Sequence, residues 1–195
     1  MILLHGDAGG SFLGYDLPRL HAMVNDFPAA LLVTAVIFEI TFLVTRRDSL
    51  RIAAFWTVLA GVIGAGLAVG SGLLAEDHIA HGQAVHDLME DHETLAFITT
   101  GIFAVVALWR ILRERVMQRN ERLGALVLAL VGVGFLVATG KHGGQMTFDH
   151  AAGVSTPALE AELKDRALGH QHEEGDEDDE DEKPADSTAA PAQAP

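Results

Sequence analysis

Histidine is the residue type in this chain with the most chemistry to offer. There are ten: His5, His21, His78, His81, His86, His92, His142, His150, His170 and His172. Cysteine is absent, which excludes disulfides, cysteine-held iron–sulfur clusters and the C-x-x-C-H attachment of c-type haem. A metal here would be held by nitrogen, oxygen or thioether sulfur, and a haem would be held without covalent links. His78-x-x-His81 lies beside Glu76 and Asp77, and imidazole with carboxylate suits zinc, copper or nickel. His150 is a further candidate metal donor. His86 and Glu90 are four residues apart and share a face if that segment is helical. No phosphate loop, nucleophile elbow or H-E-x-x-H occurs, and paired carboxylates stand only in polar, flexible segments, so no acid/base roles are assigned.

The elements that must position these residues follow from hydropathy. The chain has 195 residues, 49% of them hydrophobic, yet a formal net charge of −14. The two figures agree once the segment from His170 to Pro195 is set apart, because it carries ten acidic residues and one lysine. Four stretches are apolar over the roughly 20 residues that cross a bilayer core of about 30 Å: Phe27 to Thr45, Ile52 to Leu74, Thr94 to Leu112, and a slightly short Gly124 to Thr139. The expected fold class is an all-α membrane protein with a four-transmembrane-helix bundle. Its parts are an outer N-terminal segment (1–26), the bundle (27–140), an outer motif with a short helix opened by Thr156-Pro157 (141–169), and a disordered acidic tail (170–195). The N-terminus does not read as a secretory signal, since Gly6, Asp7, Gly9 and Gly10 break its short apolar start. Apart from a loose pairing of the two helical hairpins, no internal repeat is evident.

Charge then sets the sidedness. Arg46, Arg47 and Arg51 lie between spans one and two; Arg110, Arg113, Arg115, Arg119 and Arg122 lie between spans three and four. Arginine-rich loops stay in the cytoplasm, and Trp56 and Trp109 fall at the same interface. Both termini and the Ala75–Glu93 loop are therefore expected outside the cytoplasm, in a bacterial inner membrane. Every histidine lies in those outer segments.

At that outer level His21 precedes span one, His92 ends the approach to span three, on a helix expected to begin near Gln83, and His142 follows span four. His21 and His92 are the preferred candidate cofactor ligands, with His142 or His86 as substitutes, because imidazoles from different helices at one depth suit a b-type haem. Gly61, Gly64, Gly66, Gly70 and Gly72 in span two allow close approach of a macrocycle or of another helix. Glu39 is the only formal charge well inside a span; it lies about 9 Å from the cytoplasmic end at 1.5 Å per residue, within reach of Arg51 or Arg110. An ion pair or a protonated acid is favoured there over a proton relay. Thr99 and Thr100 are expected to bond back to their own helix. The acidic tail, with His170-x-His172, is a solubilising segment or an anionic arm for a basic partner such as a soluble c-type cytochrome. The lipid bilayer and a larger membrane complex are the other expected partners, and nucleic acid is not one.

His21 followed by Phe27-Pro28-Ala29-Ala30-Leu31 and a late acid, Glu39, resembles the bacterial membrane-domain family of unknown function numbered 2231. The segment Thr139-Gly140-Lys141-His142-Gly143-Gly144-Gln145-Met146-Thr147-Phe148-Asp149-His150 is similar to that family's closing motif. The likeness runs from Leu20 to Val154. Asp26 stands where the family has a second histidine, Lys141 replaces the histidine after T-G, and Ala151 replaces a glycine. The resemblance therefore favours His21 and His150 as matching positions over His142. It implies a companion of respiratory or cytochrome proteins. Three functions compete: a haem-bearing electron-transfer subunit, a cofactor-free assembly subunit, and a divalent-metal binder or transporter.

Overall fold

The structure is a computed structural model and describes residues 11–12, 15–79 and 81–169. His5 and the acidic tail with His170 and His172 lie outside the described residues. A two-stranded ribbon comes first, with β1 (Ser11–Phe12) antiparallel to β2 (Tyr15–Asp16) and Phe12 opposite Tyr15. Four long helices follow: α1 (Leu17–Thr45), α2 (Asp48–Glu76), α3 (Gln83–Arg113) and α4 (Arg119–His150). All four are long and apolar enough to cross a membrane.

Each helix outruns its apolar stretch, for a local reason. In α1 the Asp16 side chain caps the Arg19 amide at 3.0 Å, and Pro18 occupies the first turn. Pro28, by contrast, lies inside the helix. The cost of a missing interior amide is tolerated there. α3 begins at Gln83 as expected, so its first turns carry Asp87, Glu90 and Asp91 before the apolar run begins. α4 opens with a reciprocal capping box between Gln118 and Glu121. It does not stop after Thr139. It continues through Gly140, Gly143 and Gly144 to His150, so the closing glycine-rich motif is helical. Left-handed residues, Arg46 (φ 59°) and Ala151 (φ 52°), end α1 and α4.

The helices form two hairpins, α1–α2 and α3–α4, packed closely within themselves and more sparsely against each other. Leu32 on α1 and Phe103 on α3 are fully buried at the centre. Each sits in a notch made by a glycine of its own hairpin. A Cβ on Gly61 would stand 2.6 Å from Leu32 Cδ2, and one on Gly132 would stand 2.8 Å from Phe103 Cε2. Around that core Ile63, Leu67, Val127 and Val137 turn outward and are more than half exposed, a surface suited to hydrocarbon rather than to water. Separately, residues 157–169 belong to a second unit, and helix α5 (Thr156–Ala167) bears an Arg166–Glu162 pair at 2.8 Å.

Up-and-down topology puts the described histidines at one end of the bundle and the arginines of both tight turns at the other. These are the histidine end and the arginine end below.

Candidate functional site

At the arginine end, Glu39 is buried between two guanidinium groups. Arg110 Nη1 is 2.8 Å from its Oε2, and Arg122 Nη1 donates to its Oε1 at 3.2 Å. The Arg110 approach is close in distance but poorly directed, so Oε2 accepts no proper hydrogen bond. A cavity of about 20 Å³ adjoins it, room for one water. Glu114 joins the same network: Arg110 Nε donates to Oε2 at 2.8 Å, and Arg51 and Arg122 donate to Oε1 at 3.0 and 2.9 Å. Burial pushes the Glu114 carboxyl up, but hydrogen bonds from Arg110 and Arg122 outweigh it and hold the group below its ordinary range. Arg122 also stacks over Phe42, and Arg110 over Phe55. The expected ion pair is therefore present. Arg110 is a partner, Arg51 instead reaches Glu114, and Arg122 is a partner that the sequence did not suggest. With Arg110 of α3 and Arg122 of α4 on it, Glu39 ties α1 to both helices.

At the histidine end a cavity of about 660 Å³ opens between the hairpins, within the ~300–1,000 Å³ typical of small-molecule sites. Its floor is Leu32, Ala65, Thr99 and Leu136; its walls include His21 and His92. The two rings stand with centroids 6.5 Å apart and planes at 89°. Each is fixed by its own hairpin. His21 Nδ1 lies 3.1 Å from the Ala68 carbonyl and 3.0 Å from Ser71 Oγ, and His92 Nδ1 lies 2.9 Å from the Thr139 carbonyl. A carbonyl only accepts, so Nδ1 carries the proton in both rings and the Nε2 lone pair is left free. Glycines make room beside them: a Cβ on Gly72 would stand 3.1 Å from His21 Cε1, and one on Gly143 would stand 3.2 Å from His92 Cε1.

The remaining candidates go elsewhere. His142 bonds its Nδ1 to Ala138, one turn back on α4, and is not among the residues lining the cavity. His86 pairs with Glu90 at 3.7 Å, as its spacing implied, and stacks on His81 with centroids 5.6 Å apart and planes nearly parallel. His78 and His81 turn their Nδ1 atoms to the Leu74 and Ile79 carbonyls at 3.0 and 2.6 Å. His150 is the exposed last residue of α4. Among the described residues no group of three or more histidines, aspartates or glutamates could hold a metal ion. Thr99 bonds back to Leu95, as expected of its own helix, and also meets Thr139 across the interface at 3.3 Å. Ala68, Ser71 and Thr139, which orient the imidazoles, escaped sequence reasoning, since a carbonyl or a small hydroxyl leaves no pattern.

Residues 18–156, from the first turn of α1 to the start of α5, match the family model described as predicted membrane protein, DUF2231. The chain belongs to the DUF2231 family. The match takes in all four membrane helices, both imidazoles of the cavity and the arginine–glutamate network. The chain is thus a multi-pass membrane protein. No curated protein and no solved structure matches it.

Proposed function

We propose that the cavity at the histidine end binds a b-type haem, with His21 and His92 as axial ligands, and that the chain serves electron transfer. The observation that carries this is an imidazole from each hairpin in the wall of one cavity, with both Nδ1 atoms engaged. Two imidazoles sharing one metal through a ring nitrogen at ~2.0–2.1 Å require centroids about 6 Å apart, and these stand 6.5 Å apart. A hydrogen bond from the far ring nitrogen to a carbonyl fixes the tautomer of a ligating histidine and raises its basicity. Two donors suffice for a haem, which brings four nitrogens of its own. A bare divalent ion would need a third protein donor, so the metal reading has less support.

When bound, the haem supplies one-electron exchange at its iron. The chain's own residues hold and shield it. Ala68 and Thr139 would hold the imidazoles at the cavity wall, Gly72 and Gly143 let their Cε1 edges come close to α2 and α4, and Leu32, Ala65 and Leu136 would give the floor an apolar lining.

The arginine loops support a cytoplasmic placement of their end, with the histidine end and both termini on the periplasmic side of a bacterial inner membrane. The acidic residues beyond His170 would there attract a basic soluble electron carrier such as a c-type cytochrome.

One observation favours a second reading, a cofactor-free structural subunit of a membrane complex. The same histidine–carbonyl bonds pin α1 to α2 and α3 to α4, which is a bracing role in itself. Reduced-minus-oxidised absorption of the detergent-purified chain, produced with ample haem, separates the two. Sharp reduced bands, kept in His142→Ala and His86→Ala and lost in His21→Ala and His92→Ala, bear out the haem site. A colourless wild-type chain leaves the bracing role.

A further inference from the structure

We infer that the membrane domain is two copies of one helical hairpin in tandem, and that the cavity ligand lies on the pseudo-two-fold axis between them. On that axis it takes one imidazole from each copy, at crossed planes. This rests on the haem reading above and adds to it where the iron sits and how its two ligands are turned.

The duplication shows in register. His21 reaches the Ala68 carbonyl and His92 reaches the Thr139 carbonyl, each spanning 47 residues. Gly72 crowds the first imidazole and Gly143 the second. Deeper in, buried Leu32 fills the notch at Gly61, and buried Phe103 fills the notch at Gly132. In all five correspondences, His21 with His92 included, the second residue lies 71 positions beyond the first. The same step carries Arg51 onto Arg122, which both donate to Glu114, and Ser71, beside the first imidazole, onto His142. It also carries Glu39 onto Arg110, which pair with each other at 2.8 Å. Residues at equivalent positions can touch only if the axis passes between them. The pair Glu39–Arg110 and the pair His21–His92 therefore mark two points on one line, which runs along the bundle and through the cavity.

The step of 71 joins helices that run the same way, α1 with α3 and α2 with α4, so the axis is parallel to the helices. A planar macrocycle between the hairpins would contain that axis and present one face to each copy. It also explains His142: the residue takes the place of Ser71 and is a neighbour of His92 instead of a third ligand.

The ring planes stand at 89°, and each orientation is set by its own hairpin through Nδ1. In a low-spin ferric haem, coplanar imidazoles raise one of the two iron dπ orbitals above the other. Crossed imidazoles raise both alike and leave them nearly degenerate. Near-degeneracy retains orbital angular momentum and makes the g-tensor highly anisotropic.

Low-temperature electron paramagnetic resonance of the haem-loaded full chain tests this. The expected result is a low-spin ferric signal of the large-gmax type. His21→Gly and His92→Gly, each loaded with haem, should give the same high-spin signal, and free imidazole should return both to low spin. That rescue separates a lost ligand from a lost fold. A rhombic low-spin signal, a high-spin signal from the wild type, or a change in only one of the two variants overturns the axial assignment while haem binding stands. Failure to take up haem removes the underlying haem reading and this inference with it.

Discussion

His21 and His92 belong to different hairpins, yet their rings stand 6.5 Å apart at right angles in the wall of one cavity of about 660 Å³. Neither is free to turn, since each Nδ1 is committed to a carbonyl of the neighbouring helix. That makes them a pre-organised pair of side chains drawn from two hairpins. Bracing uses Nδ1 of each ring, which leaves Nε2 for the ligation proposed above.

The arginine–glutamate network should matter for stability more than for any chemistry. Removing one partner of a buried pair costs on the order of 3 kcal/mol or more, because the charge left behind is poorly solvated. Glu39→Ala strands part of Arg110 and Arg122, both at most 7% exposed in their side chains. Its thermal midpoint in detergent should fall by several degrees, while haem uptake at the far end of the bundle is retained. Equal stability of the variant would show that Arg110 and Arg122 are satisfied by Glu114 alone.

Acid should loosen the same end. The Glu114 carboxyl is held below its ordinary range, so its contribution is complete above the unfolded value of about 4.3. It is lost as pH falls through the lower folded value. The thermal midpoint should therefore be level near neutrality and drop on acidification below about pH 4. Glu114→Gln should start lower and show a shallower drop. An acid limb of unchanged steepness in that variant would assign it to other carboxylates.

Glycine substitutions should divide by position. Gly61→Ala and Gly132→Ala drive a methyl into fully buried Leu32 and Phe103, and overpacking of this kind costs roughly 1–3 kcal/mol. Gly66→Ala and Gly101→Ala meet nothing within 4 Å, so they should stay within ~1 kcal/mol of wild type or gain from helix propensity. Denaturation in detergent compares the four directly. Equal losses at all four positions would contradict the notch packing.

The absence of cysteine makes sidedness simple to measure. Ala84→Cys at the histidine end and Ser49→Cys at the arginine end are both exposed positions. In intact cells with a permeable outer membrane, an impermeant maleimide should label the first and spare the second. The reverse pattern would turn the bundle over.

Much of this was legible in the sequence. Four apolar runs and two arginine loops gave the helices and their pairing, and shared depth brought His21 and His92 to one level. Depth alone does not give the direction a side chain faces around its helix. His142 sits at the same level as His92 but turns back along α4 and stays off the cavity. Helix ends were set by polar caps that hydropathy does not see. Asp16 carried α1 well above Phe27, and the capping box carried α4 down to Arg122, which brought that arginine to Glu39. The two hairpins showed in the sequence only as a loose pairing, because the residues that correspond agree mainly in packing. Leu32 answers to Phe103 and Glu39 to Arg110, and residues so different in type leave little likeness to read.

Haem titration into the purified haem-free chain bears on the whole proposal most directly. Absorbance should saturate at one haem per chain with low-spin bands, and His21→Ala and His92→Ala should each lose those bands while remaining folded by circular dichroism. Titration without saturation, or variants that bind haem as the wild type does, would remove the cavity's imidazole pair from any role as a cofactor site.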